Sequence, residues 1–150
     1  MKIEDEIQSQ FRNEQHKAMV NLQFTQLAIA NKLGEVFKKS NISAQQYNVL
    51  RILRGQHPNS ASIGLIKERM LDKNSDVSRI IDRLKRKNLL ARKECKLDRR
   101  QKDVTISNEG LKLLETLDED LSGMEKVIGG ISKEDTVKLN SILDEIRQSL

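Results

Sequence analysis

The sequence predicts a mainly α-helical chain carrying one small β-hairpin, and three observations predict it. Proline and glycine are scarce, one and seven in 150 residues, so few positions interrupt a helix. Apolar residues recur at helical spacing of three and four through most of the chain. The exception is LDRRQKDVTIS, residues 97–107, where a knot of charges precedes Val104, Thr105 and Ile106, a short β-prone run.

Residues 3–38 read as one long helix. Ile3, Ile7 and Phe11 make a sparse stripe, one per turn; from Ala18 to Phe37 the apolar positions crowd several faces, among them Met19, Leu22, Phe24, Leu27 and Leu33. A helix that is apolar nearly all round must be covered on more than one side. A second helix starts at Ser43, which has capping-box spacing to Gln46, with Ile42 and Tyr47 placed as a hydrophobic staple. It stops at Gly55, with Pro58 beyond. A short helix follows NSAS, with Ile63, Ile66 and Met70 on one face. The turn LDKNS, residues 71–75, offers Asn74 or Ser75 as a cap for the next helix.

That helix, about 75–87, has the cleanest pattern in the chain. Val77, Ile80, Ile81 and Leu84 fall at i, i+3, i+4 and i+7 and form a core stripe. The opposite face carries Ser75, Asp76, Ser78, Arg79, Asp82, Arg83 and Arg86. A hairpin is expected next, with strands near 90–95 and 103–106 and a charged tip near 96–102. Ser107 caps a helix with Leu111, Leu114, Leu117, Leu121, Met124 and Ile128 in register, and Gly129-Gly130 break it. Ser132 and Asp135 start a last helix striped by Leu139, Ile142, Leu143, Ile146 and Leu150.

Composition narrows the function classes. Hydrophobic residues are 37% and charged residues 33%, and no window approaches the roughly 18 consecutive apolar residues of a membrane span. The acidic start MKIEDEIQSQ lacks the basic and apolar regions of a signal peptide. The single cysteine, Cys95, cannot form an internal disulfide and fits a reducing cytoplasm. The net charge of +5 is unevenly spread: residues 72–102 hold twelve Lys and Arg against five Asp and Glu, an excess of +7, which leaves −2 for the rest. A basic block on a slightly acidic chain is the footprint expected for a polyanion partner.

Two short helices joined by a tight turn and followed by a hairpin make a winged helix-turn-helix, whose second helix enters the DNA major groove with its N-terminal residues against base edges. Ser75, Ser78, Arg79 and Arg83 are the candidates for that contact. Arginine can read guanine through two parallel hydrogen bonds, and the amides at the helix start can also hold a phosphate. Lys85, Arg86 and Lys87 lie further along and suit the phosphate backbone, which gives affinity without sequence information. The hairpin tip would reach the neighbouring minor groove, whose negative potential over A·T-rich steps attracts Arg99 and Arg100. Asp98 would hold Arg100 at a fixed angle. The plainer reading of the tip is a solvated hairpin whose charges protect an edge strand.

At this point SDVSRIIDRLKRKNLLARKECKLDRRQKDVTISNEG, residues 75–110, resembles the recognition helix, wing and following helix of the MarR family of bacterial transcription regulators. The D-R-R of the wing, the RIIDRLKRKNLL run and the TISNEG exit carry the resemblance, and the order of elements extends it over essentially the whole chain. It implies an obligate, roughly triangular homodimer that binds double-stranded DNA at pseudo-palindromic operators, usually as a repressor. It implies a DNA-binding lobe at 41–107 and a helical dimerisation region formed by 1–40 and 108–150. Carried over, Ser78, Arg79 and Arg83 face the major groove, Arg100 enters the minor groove and Asp98 positions it. The apolar stripes of the first and last helices, more than one small lobe can cover, point to the same dimer.

Other readings have less support. No Gly-rich phosphate loop is present, because Gly129-Gly130 lacks a following lysine and serine. His16, His57 and Cys95 have no metal-ligand spacing, so neither an enzyme nor a cofactor or metal is expected. Cys95, flanked by Lys93 and Lys96, could be a reactive thiol, but a lone cysteine is more often a small buried hydrophobe. A small-molecule effector of unidentified chemistry would fit the resemblance. Phe11, Phe24, Phe37 and Tyr47 are the only rings available, and Arg12 with His16 could hold a carboxylate. The alternative from another class is a winged-helix module that contacts protein without specific DNA binding.

Overall fold

The computed structural model describes residues 2–8, 10–94, 102–126 and 129–150. The chain divides into two units, Met1–Ala44 and Gln45–Leu150. The first holds α1 (Ile3–Ile7) and α2 (Glu14–Lys39), so the single helix expected across 3–38 is in fact broken. Gln8 takes a left-handed conformation with φ 47°, and Asn13 starts a new helix by accepting from the His16 backbone N–H at 2.8 Å. Asparagine offers the backbone this alternative to a continuous helix. The break is furnished locally: the Arg12 N–H donates to His16 Nδ1 at 3.3 Å, and Phe11 meets the His16 ring edge-on with centroids 5.9 Å apart. Glu4 and Lys17 tie α1 to α2 at 2.5 Å. Hydrogen bonding to the Lys17 ammonium holds the Glu4 carboxyl below its ordinary range. Within α2 only Phe37 is buried, and Met19, Leu22, Phe24 and Leu27 face solvent.

The second unit opens with α3 (Ala44–Arg54), β1 (Ala61–Ser62) and α4 (Ile63–Arg69). It continues through α5 (Val77–Arg86), β2 (Leu90–Glu94), β3 (Lys102–Ile106), α6 (Asn108–Glu125) and α7 (Lys133–Gln148). The expected hairpin is the larger part of a three-stranded antiparallel sheet of order β1-β3-β2. β1 pairs Ala61 with Val104, and across β3 Val104 faces Arg92 of β2. Two residues are too few to show a period in the sequence, yet Ala61 is fully buried and anchors the start of α4 to the sheet. Ser62 then caps α4, accepting from the Leu65 N–H at 3.1 Å.

The core is the apolar stripes of these elements meeting. Leu50 and Leu53 of α3, Ile66 of α4, Ile81 and Leu84 of α5 and Val104 of β3 are all buried, as are Leu114 and Leu117 of α6. Arg54 and Asp118 join α3 to α6 by a two-pronged ion pair, with bonds of 2.6 and 3.2 Å. After Leu117 the α6 stripe loses burial, and Ile128, expected as its last member, lies outside the described residues. Gly129 ends the helix by donating to the Glu125 carbonyl at 3.1 Å. Ser132 caps α7 reciprocally with Asp135, accepting its N–H at 3.0 Å and donating to its carboxylate at 2.8 Å. α7 buries none of its residues. Among the described residues no helix is long and apolar enough to cross a membrane.

Candidate nucleic-acid interface

The turn between α4 and α5 is held at each step. Met70 is buried at the end of α4. Leu71 donates its N–H to the side-chain oxygen of Asn48, itself buried on α3, at 2.8 Å. Asp72 organises the rest: one carboxylate oxygen accepts from the Asn74 N–H at 3.0 Å, the other from the Ser75 hydroxyl at 3.0 Å. Lys73 donates to the Glu68 carbonyl. Such an Asx turn gives the chain a fixed exit direction.

Asp76, not Asn74 or Ser75, caps α5, its carboxylate accepting from the Arg79 N–H at 3.1 Å. One of the amides that the sequence reading offers to a phosphate is thus taken by an internal carboxylate. Ser75 is half-buried, with its hydroxyl committed to the turn. Along α5, Val77, Ile81 and Leu84 point inward, while Ser78, Arg79, Asp82, Arg83, Lys85, Arg86 and Lys87 are exposed. Among the described residues Arg79 and Arg83 enter no ion pair. Arg83, Arg86 and Lys87 line a shallow open concavity of about 400 Å³ together with Gln46 of α3. Sequence reasoning had used Gln46 only as a helix-start signal.

Just past the Lys87 cap of α5, Asn88 takes the left-handed region with φ 60°, and the Leu89 N–H closes the turn on the Leu84 carbonyl at 3.1 Å. The hairpin is then locked beside it. Ser107 donates its hydroxyl to the Asn88 carbonyl at 2.7 Å, and its N–H donates to the Leu89 carbonyl at 3.2 Å. On β2, Arg92 turns toward α5, donating to Asp82 at 2.7 Å and, at the long limit, to the Ser78 carbonyl at 3.5 Å. Sequence reasoning missed this pair. Its only signal was opposite charge on two different elements, which no local spacing rule reports. The predicted tip residues Asp98, Arg99 and Arg100, together with Cys95, lie outside the described residues.

The structure therefore brings Ser78, Arg79, Arg83, Lys85, Arg86 and Lys87 onto one exposed helical surface beside a hairpin. Comparison with known proteins places this fold in a family. The MarR-family model matches residues 40–101. A solved MarR transcription factor from Planctomyces limnophilus is 30% identical, covers 90% of this chain and 98% of its own, and superposes with a TM-score of 0.70. The chain belongs to the MarR family. This MarR-family chain is also 26% identical over 126 residues to the transcriptional regulator PecS of Dickeya dadantii, spanning 83% of the chain and 76% of PecS. Its fold is similar to that of S. aureus MepR solved as a DNA complex, with a TM-score of 0.80 at 20% identity over 88% of this chain and 97% of MepR's. As a MarR-family protein it is a transcriptional regulator with a DNA-binding winged helix. Among the described residues no group of His, Cys, Asp and Glu could hold a metal ion.

Proposed function

We propose that the chain is a homodimeric repressor that acts in the cytoplasm on a pseudo-palindromic operator, with α5 as its recognition helix. The observation that carries this reading is the exposed cationic face of α5, presented on a turn whose backbone is tied down by Asn48 and Asp72. Ser78, Arg79 and Arg83 are assigned to base edges in the major groove. Lys85, Arg86 and Lys87 are assigned to the phosphate backbone, where point charges act without regard to sequence. The D-R-R of the hairpin supports Arg100, with Arg99 beside it, as the minor-groove contact and Asp98 as its support. The dimer is supported by the apolar residues that α2 and α7 leave exposed in a single chain. The sign of regulation rests on the family resemblance.

The test is selection from a random duplex pool by the purified protein at near-physiological salt. The expected product is an inverted repeat with half-sites about one helical turn, 10–10.5 bp, apart, and a reporter driven through that repeat should be silenced by the protein. DNA retained without an enriched motif would leave only the sequence-independent electrostatic contribution. The protein-contact reading would then take its place.

A further inference from the structure

Among the described residues of the basic block, Arg92 turns its charge inward, onto the neighbouring helix. Its side chain is only 17% exposed. One guanidinium nitrogen donates to Asp82 at 2.7 Å, a second reaches the Ser78 carbonyl, and Nε is buried with no acceptor among the described residues. Asp82 and Ser78 are four residues apart, one turn of α5, so a single side chain grips the helix at two successive levels. Arg92 is itself fixed: its backbone pairs with Val104 in the middle of the sheet. The other polar ties among the described residues, from Ser107 to the Asn88 and Leu89 carbonyls, sit just past the far end of α5. Without Arg92 the N-terminal half of α5, where Ser78 and Arg79 lie, has no polar tie to the hairpin among the described residues.

We propose that Asp82 and Arg92 are a positioning pair that sets the angle of α5 against the base of the β2–β3 hairpin and thereby determines how sharply α5 discriminates DNA sequence. The pair touches no base in this scheme, and the inference rests on the DNA-recognition reading above. Its charge logic is distinctive. Asp82 is an acid on a face offered to a polyanion, so removing it makes that face more positive. Electrostatics alone then predicts tighter binding to any DNA. A positioning role predicts a loss confined to the specific site, because the angle at which side chains meet base edges is what degrades.

The experiment compares Asp82→Asn, Asp82→Ala and Arg92→Ala in the full-length chain. Each is titrated against the selected operator and against random duplex across a salt series. Asp82→Asn and Asp82→Ala remove the same charge, but asparagine keeps an oxygen within reach of Arg92. The expected result is that Asp82→Ala weakens operator binding by about 3- to 30-fold, the range for coupling through a discrete joint. Random-duplex binding should hold or tighten, and Asp82→Asn should keep most of the operator preference. Adding Arg92→Ala to Asp82→Ala should lower the preference little further, because the pair acts as one unit. Equal behaviour of Asp82→Asn and Asp82→Ala, with operator and random duplex gaining together, overturns the proposal and leaves Asp82 as a surface charge. Should Arg92→Ala not fold, the two Asp82 variants still decide, since Asp82 is 54% exposed. A wild-type chain that enriches no sequence overturns the DNA-recognition reading itself, a failure visible before any variant is made.

Discussion

Arg79 and Gly110 show how single positions carry the two halves of the design, recognition and alignment. Arg79 is exposed on the first turn of α5 while its backbone N–H is held by Asp76, so the start of the side chain is fixed and its end is free to reach a base edge. Arg79→Ala should relax the preference at one position per half-site, at a cost of about 1–3 kcal/mol for the preferred base. Motif selection with the variant checks it; an equal loss on every sequence would make Arg79 a phosphate contact. Gly110 works at the opposite end of the unit. A methyl there would collide with the Leu89 carbonyl and come within 2.8 Å of Ile106 Cγ1. α6 must therefore leave the sheet at closest approach to the chain that exits α5. Gly110→Ala should destabilise the fold by about 1–3 kcal/mol through overpacking against backbone, read as a drop in denaturation midpoint. The sequence placed Gly110 in the TISNEG exit without showing why a glycine stands there, because the obstructing carbonyl comes from a different element.

At the scale of elements, legibility followed the length over which a pattern repeats. α5, α6 and α7 announced themselves by apolar stripes, and the caps of α6 and α7 lie at Ser107 and Ser132. The hairpin strands fell within a residue or so of β2 and β3. The failures were local. Asn13 interrupts the first helix with one side-chain hydrogen bond, β1 is two residues long, and Asp76 out-competes Asn74 and Ser75 because Asp72 has already engaged their turn. Ion pairs between elements were invisible for the same reason as Asp82–Arg92. Arg54–Asp118 is the clearest case: it spans 64 positions and binds α3 to α6 by two bonds. Both side chains are about a third or more exposed, so Asp118→Asn should cost only about 0.5–1 kcal/mol, with the difference from wild type shrinking in high salt. Urea unfolding at two ionic strengths measures it. The Glu4–Lys17 tie between α1 and α2 makes a prediction in pH. Glu4 ionises below its ordinary value of about 4.5 because of the Lys17 hydrogen bond. Its stabilising effect is therefore complete above that value and is lost as pH falls through the lowered one. Wild type and Glu4→Gln should differ in melting temperature at neutral pH and converge under acid.

At the scale of the molecule, the sequence held a surplus of apolar helix that one chain does not absorb. In α2, Met19 and Leu27 are more than half exposed, and in α7 Val137 and Ile142 are as well. Exposed apolar surface at this density on two helices, on a chain whose other charged faces are well solvated, is a mark of an interface. The proposed homodimer would cover it, and a two-fold operator requires two recognition helices in any case. What one chain cannot encode legibly is the spacing between those helices, because it depends on how two copies meet and not on any residue pattern within one. The dimer carries its own test. If folding and association are coupled, melting temperature must rise with protein concentration, because a folded dimer is favoured by mass action over unfolded monomers. Ile142→Glu puts a charge where burial is proposed. It should shift sedimentation toward monomer and abolish the concentration dependence of melting. Operator binding should fall far more than binding to a single half-site. A variant that melts like wild type and still sediments as a dimer would move the interface off α7, leaving the α2 face, probed by Leu27→Glu, to account for the pairing.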